Sequence, residues 1–400
     1  MKTFPLALLF LLISFALVAN ESSEAPSSKA PFSANMSETT HQIRIDGKRV
    51  NYIVMAGDTV LSDKDGNPKA SIFSTSYIHE SKDASRPLIF IFNGGPGSSS
   101  VWLHMGVFGP KKVVIPSDAQ QVPAAPYTIA DNPVSLIDVA DMVFIDPVGT
   151  GYSIPLGEYE GKDFWGVRQD AQILSEFIRV FITKHQRWNS RKYLAGESYG
   201  TTRAALMTRE LQEGWGTIDL NGVFLISSIL DFQTGDFAPG NDLPFLSFLP
   251  TYAATAWYHD ALPDKSAWDS QATFLDEVRD FTLNEYATTL VKGDLASEVE
   301  VTNVVDKLHA YTGISKQFIK LSKLRLNEFE FMKELLREQG LSVGRLDSRY
   351  VGEDANLVAS RFEADPSAYA IDGAYTAAIQ SLSCIRPWCF EGAEIQHFIG

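Results

Sequence analysis

An α/β fold with a parallel or mixed sheet is predicted, on three observations. Short, unbroken apolar runs such as "PLIFIF" end in glycine-rich loops, as expected for strands buried on both faces. Such runs alternate with helical patterns between residues 88 and 230, the order that builds parallel pairings. After about residue 240 the strand runs stop and amphipathic helix patterns take over.

The elements follow in order. "HQIRI" and "RVNYIVMAGDTVL" read as strands joined through the turn signal "DGK", and "SIFSTSYI" follows the turn "KDGNPKA". "PLIFIFNGGPGSSS" and "ADMVFIDPVGTGYS" share one plan, a buried strand feeding a Gly/Pro loop. "DFWGVRQDAQILSEFIRVFITKHQ" has helical spacing, with Trp165, Ile173, Phe177 and Phe181 near one face. "RKYLAG" is a short strand, a helix starts near Tyr199, and "GVFLISSIL" reads as one more buried strand. "DEVRDFTLNEYATTLV", "TNVVDKLHAYTG", "SKQFIKLSKL" and "NEFEFMKELLREQG" are helical, with no fixed repeat. The expected organisation is a signal peptide at 1–19, a flexible linker at 20–37, an α/β core at 38–240, a helical insertion or cap at 241–372 and an atypical segment at 373–400.

Composition narrows the function. The 400 residues, 45% hydrophobic, suffice for one large core or a core with an insertion. The formal net charge is −15, and no Lys/Arg cluster interrupts it. Nucleic acid and anionic membrane surfaces are therefore not expected partners. "MKTFPLALLFLLISFALVAN" has a positive start at Lys2 and a short apolar stretch, the pattern of a secretory signal cleaved near Ala19. A secreted or periplasmic location follows, with an uncleaved anchor as the alternative. "NMS" at Asn35 is a glycosylation sequon, relevant only in a eukaryotic secretory pathway. Cys384 and Cys389 either close a small disulfide loop or remain two thiols; without further ligands they imply no zinc site.

The chemistry concentrates in "GESYG", which fits G-x-S-x-G around Ser198. A serine presented on a sharp strand-to-helix turn brings the backbone two residues away on either side very close. Gly196 and Gly200 remove the Cβ atoms that would clash. The turn also sets Ser198 at a helix N-terminus, whose N–H groups favour developing negative charge. "NGGPG", Asn93–Gly97, ends an earlier buried strand, where a second N–H donor is needed.

"FNGGPGSSS", "FIDPVGTGYS" and "GESYGTTRA", in this order, resemble the serine carboxypeptidases, α/β-hydrolase enzymes with a helical cap. The resemblance spans about residues 40 to 375. Ser98 stands where many eukaryotic members have a disulfide cysteine, which points to bacterial members. The resemblance implies removal of single residues from peptide C-termini, usually at acid pH, with peptide or protein C-termini as substrates and no cofactor or metal. It implies Ser198 as nucleophile and the N–H groups of Tyr199 and Gly95 as the oxyanion hole. Asn93, Gly94 and Glu197 would receive the substrate carboxylate. Glu197 beside an anion makes physical sense only when protonated, which favours acid pH.

Two departures stand out. Val107, in "VFGP", occupies the place of a second carboxylate-binding acid, so an esterase or looser peptidase preference stays open, and the "IDPVG" loop is one residue shorter than usual. No histidine has the family's Gly-His setting: His41, His79, His104 and His185 precede Ser198, His259 and His309 fall in the helical region, and His397 is three residues from the end. Asp231, after "FLISSIL", reads as structural. With the triad Asp and His not identifiable and no further strand run after residue 372, the expectation is a shortened chain with poor turnover. The competing expectations are a non-catalytic peptide-binding relic and an acyltransferase.

Overall fold

The computed structural model describes residues 32–119, 122–214 and 216–383. The chain falls into two units, Met1–Ser33 and Ala34–Gly400, and the architecture below belongs to the second. The expected signal peptide, Cys384, Cys389 and His397 lie outside the described residues.

The first half builds the sheet, with helices alternating with strands only from Val167 onward. It runs β1 (Met36–Ile45), β2 (Lys48–Ser62), β3 (Pro68–His79), β4 (Leu88–Phe92) and the short α1 (Val101–Leu103), which continues into a π turn at His104–Phe108. A small hairpin, β5 (Lys111–Val113) and β6 (Ile129–Asp131), precedes β7 (Asp141–Ile145) and β8 (Ile154–Pro155). Then come α2 (Val167–Lys184), β9 (Lys192–Glu197), α3 (Tyr199–Gln212) and β10 (Gly222–Ile226). These form an eight-stranded mixed sheet in the order β1-β2-β3-β7-β4-β9-β10, with β8 paired to β3. β7, β4, β9 and β10 are mutually parallel, and the strands from β1 to β7 pair antiparallel.

The unbroken apolar runs are explained by alternation across a sheet covered on both faces. Leu88, Phe90 and Phe92 of β4 face a layer that includes Ile173, Leu174, Phe177 and Phe181 of α2 and Met207 and Leu211 of α3. Ile89 and Ile91 face the opposite side, with Leu103, Ile137 and Phe144. Each such side chain, wholly removed from water, contributes roughly 1.5–3 kcal/mol.

Three local expectations change. Met36 and Ser37, assigned to the linker, already belong to β1, which pairs in register with β2 from Met36 opposite Gly57. Trp165 is not on the buried face of α2: it precedes the helix, is 63% exposed and lies against Gly149 and Gly161. The "GVFLI" strand is not buried either. Val223, Phe224 and Leu225 are 37%, 44% and 45% exposed, because among the described residues β10 is the sheet's outer strand.

The second half is mostly helical, with its own core. α4 (Leu243–Tyr258), α5 (Gln271–Phe281), α6 (Ala287–Lys292), α7 (Glu298–Thr312), α8 (Lys316–Leu321) and α9 (Glu328–Glu334) surround Phe274, Phe281, Tyr311 and a stacked pair, Tyr252 on Phe331. Capping boxes at Ser270, Ser297 and Asn327 fix three helix starts. A small hairpin, β11 (Leu341–Val343) and β12 (Val351–Glu353), leads to α10 (Pro366–Ser383). Ala374 and Ala378 of α10 pack on Val101, Met105 and Val113 of the first half, so the segment after residue 372 starts as an ordered helix. Among the described residues, no helix is long and apolar enough to cross a membrane.

Candidate active site

The order of the parallel strands locates the site. The chain leaves β4 for β7 on one side and then crosses to β9 on the other, so β4 marks a topological switch point. Ligands of such sheets bind outside the carboxyl ends of the strands at that point. Asn93–Gly97 follows β4, and Ser198 follows β9 directly.

Ser198 has φ 56° and ψ −125°, a backbone conformation favouring glycine and costing on the order of 1–3 kcal/mol. The surrounding structure holds it there. Ser198 N donates to Ile226 O of β10 at 2.9 Å, and Thr201 donates to Ser198 O from both its N (2.9 Å) and its Oγ1 (2.7 Å). Thr202 Oγ1 donates to Ile229 O at 2.6 Å, tying the start of α3 to the loop after β10. A Cβ on Gly196 would stand 2.1 Å from Gly200 O, so only glycine lets the turn close this tightly.

The "NGGPG" loop packs directly on this turn. A Cβ on Gly94 would stand 2.5 Å from Tyr199 N and 2.7 Å from Glu197 O. Tyr199 is the first residue of α3, so its N–H has no intrahelical acceptor. The peptide after Gly94 turns through Gly95, whose φ is 104°. Asn93 is fully buried and its amide is oriented at both ends: Oδ1 accepts from Leu103 N at 3.0 Å, and Nδ2 donates to Glu197 Oε2 at 2.9 Å. The structure thus brings Asn93, Gly94, Gly95, Glu197, Ser198 and Tyr199 together at one place. Val107 lies in the π turn, is 45% exposed and accepts from Asn132 Nδ2 through its carbonyl.

The histidines of the described residues are engaged elsewhere. His104 is buried, stacks on Phe144 and hydrogen-bonds Tyr77 Oη through Nε2 at 2.6 Å; burial lowers its pKa to about 3. His41 stacks on Tyr52, His79 pairs with Ser81, and His185 caps α2. His259 and His309 bind the carbonyls of Ser348 and Ile314. Asp231 caps a short 3-10 turn, accepting from Gln233 N. Among the described residues no cluster of three or more His, Cys, Asp or Glu is placed to hold a metal.

Sequence reasoning missed two buried acids. Asp146, which follows β7, accepts from both N and Oγ of Ser100 at 2.9 Å, and burial raises its pKa to about 6. Asp170 pairs with the fully buried Arg203 (Nε to Oδ2, 2.7 Å), and burial, with the Asp170 carboxylate nearby, raises the Tyr199 pKa. Asp146 lies in the "IDPVG" loop already noted, and for Asp170 the sequence signal is an arginine five residues after Ser198, on the face of α3 that carries Tyr199.

A strained serine on the turn between β9 and α3, with a glycine loop folded over it on a mixed sheet, defines a protein of the α/β-hydrolase fold. A family model described as serine carboxypeptidase matches residues 63–336, and the chain belongs to that family. It is similar to serine carboxypeptidase-like 16 of Arabidopsis thaliana, 29% identical over 164 residues, covering 38% of this chain and 36% of that protein. It is 31% identical over 166 residues to the pheromone-processing carboxypeptidase KEX1 of Ogataea parapolymorpha, covering 41% and 23%. It is 24% identical over 241 residues to serine carboxypeptidase S10 family member 1 of Dictyostelium discoideum, covering 58% and 48%. The matched stretches thus span less than half of each of these relatives. Among solved structures, the peroxisomal alpha-beta-hydrolase Lpx1 of Saccharomyces cerevisiae aligns over 62% of each chain at 11% identity, with a TM-score of 0.24, too low to add to the assignment.

Proposed function

We propose that this protein is a serine-type carboxypeptidase that forms an acyl-enzyme on Ser198. The observation that carries this reading is the contact between the two loops: Gly94 sits against Tyr199 N while Asn93 holds Glu197 beside Ser198. In this reading, Ser198 Oγ attacks the last peptide carbonyl, the C–N bond breaks, and the C-terminal amino acid leaves with the proton given up by the serine hydroxyl, the shortened peptide staying as an ester on Ser198. The N–H groups of Tyr199 and Gly95 stabilise the oxyanion, and Asn93, Gly94 and Glu197 receive the terminal carboxylate. Water then releases the acyl group. The base is not identified among the described residues, so slow turnover is expected, with oxyanion and binding effects supplying residual catalysis. Peptide or protein C-termini are the substrates, encountered outside the cytoplasm if the N-terminal segment acts as a secretory signal.

The test compares blocked dipeptides ending in a free carboxylate or in an amide, with mass spectrometry of the products. Release of the last residue from the free acid only, lost in Ser198→Ala, supports the reading. Tight binding without any release, unchanged in Ser198→Ala, replaces it with the peptide-binding relic. Equal cleavage of both forms replaces it with an esterase-like or endopeptidase preference. Ester formation with an added alcohol marks acyl transfer.

A further inference from the structure

The Arg203 guanidinium is completely buried, yet it touches neither Ser198 nor Glu197 in the contacts observed. It sits between the rings of Phe92 and Tyr199, 5.5 and 5.3 Å from their centroids. Nε donates to Asp170 Oδ2 at 2.7 Å. One terminal nitrogen donates to Asn93 O at 2.5 Å, and the other reaches Pro96 O at 3.5 Å. One planar fork therefore joins three elements: α3, which starts at the nucleophile; α2, through Asp170; and both sides of the glycine pair in "NGGPG".

A leucine or methionine would fill the same volume with less desolvation cost. What the fork adds is direction. Its donors are aimed at the two carbonyls that bracket Gly94 and Gly95, closely at Asn93 O and at longer range at Pro96 O, which ties both ends of the glycine pair to one group. Asn93 is held at its carbonyl by Arg203 and at its amide by Leu103 N and Glu197. The clamp is thus continuous from Asp170 to Glu197.

We propose that Arg203 is a positioning residue: neutralised by Asp170, its guanidinium clamps the loop bearing the Gly95 N–H against the Ser198 turn. This inference rests on the reading of Ser198 as nucleophile. The Arg203 guanidinium also lies 5.3 Å from the centroid of the Tyr199 ring, so the residue that offers one oxyanion donor packs against the same ion pair that fixes the other.

The experiment measures hydrolysis of an activated p-nitrophenyl ester by wild type, Arg203→Met, Arg203→Lys and Asp170→Asn. Competent sites are counted in each by titration with a fluorophosphonate. The good leaving group makes the reaction sensitive to oxyanion geometry and little dependent on a general acid. Arg203→Met is expected to lower kcat per titrated site by roughly 10- to 100-fold, as a misplaced oxyanion donor does, with KM changing less than about three-fold. Arg203→Lys, which keeps the charge but cannot span Asp170 and both carbonyls, should recover only part of the loss. Asp170→Asn should fall between wild type and Arg203→Met. If Arg203→Met does not fold, Arg203→Lys and Asp170→Asn decide. Unchanged kcat per site in the folded variants, with only a lower melting temperature or fewer titratable sites, overturns the inference and leaves the nucleophile reading intact. A wild type that neither hydrolyses the ester nor is labelled on Ser198 overturns both.

Discussion

Asn93 donates from Nδ2 to Glu197 Oε2 at 2.9 Å, across 104 residues of sequence, while its Oδ1 is committed to Leu103 N. The amide therefore cannot be flipped without losing a buried bond, and it presents a donor to Glu197. A neutral amide at position 197 keeps this arrangement and still offers an N–H to a ligand carboxylate. Glu197→Gln should bind a free-acid peptide at neutral pH at least as well as wild type. Glu197→Ala should weaken it by about 10-fold, the scale of one charge-assisted hydrogen bond. Calorimetric titration with the free acid and its amide checks this. Equal losses in both variants would remove Glu197 from ligand recognition.

The strain at Ser198 gives a second expectation. At φ 56° and ψ −125° any side chain is disfavoured, and glycine is not. Ser198→Gly should abolish hydrolysis and stabilise the fold by about 1 kcal/mol. A melting temperature below wild type in Ser198→Gly would mean that the turn holds no such strain.

His104 and Asp146 line one small cavity with Ser99 and Tyr152, and they titrate in opposite senses. Burial lowers the His104 pKa to about 3, so below pH 6.5 the unfolded chain binds a proton that the fold refuses. Stability from this group is present above 6.5 and lost as the pH falls towards 3. Burial raises Asp146 to about 6, so between about 4 and 6 the folded state holds the extra proton. Stability from this group is present below about 4 and lost as the pH rises through 6. Relative to wild type, His104→Gln should gain stability as the pH falls from 6.5, and Asp146→Asn should gain as it rises from 4. Urea unfolding at several pH values measures both; parallel profiles for the two variants would contradict the assignment.

Among the described residues β10 is an outer strand, and the half-exposed Val223, Phe224 and Leu225 give it an apolar surface, a setting that promotes edge-to-edge association. Phe224→Lys should reduce light scattering at high protein concentration and shift the melting temperature by no more than about 2 °C. Unchanged scattering would show that association, if any, uses another surface.

Much of this architecture was legible locally. The runs at Leu88–Phe92 and Asp141–Ile145 announced doubly covered strands because both alternating faces are apolar. The glycines around Ser198 announced a tight turn: a Cβ on Gly196 would stand 2.1 Å from Gly200 O, and one on Gly200 would be crowded at 3.0 Å from Phe92 O. What was not legible depends on neighbours. "GVFLI" has the composition of a buried strand, but burial requires a strand beside it, and composition does not report one. Trp165 fits the helical spacing, yet the chain is still turning at Gly166, with ψ 145°, so the ring lies outside α2. Arg203 and Asp170 are separated by 33 residues and meet only because α2 and α3 pack on the same sheet face.

Ser198 is proposed as a nucleophile placed by its turn and by the "NGGPG" loop. The most direct measurement is reaction of the protein with a fluorophosphonate, followed by mass spectrometry of the peptide containing residues 192–203. A single phosphonyl adduct on Ser198, absent in Ser198→Ala and after unfolding, is expected. Labelling spread over other serines, or an adduct that persists in Ser198→Ala, would contradict it.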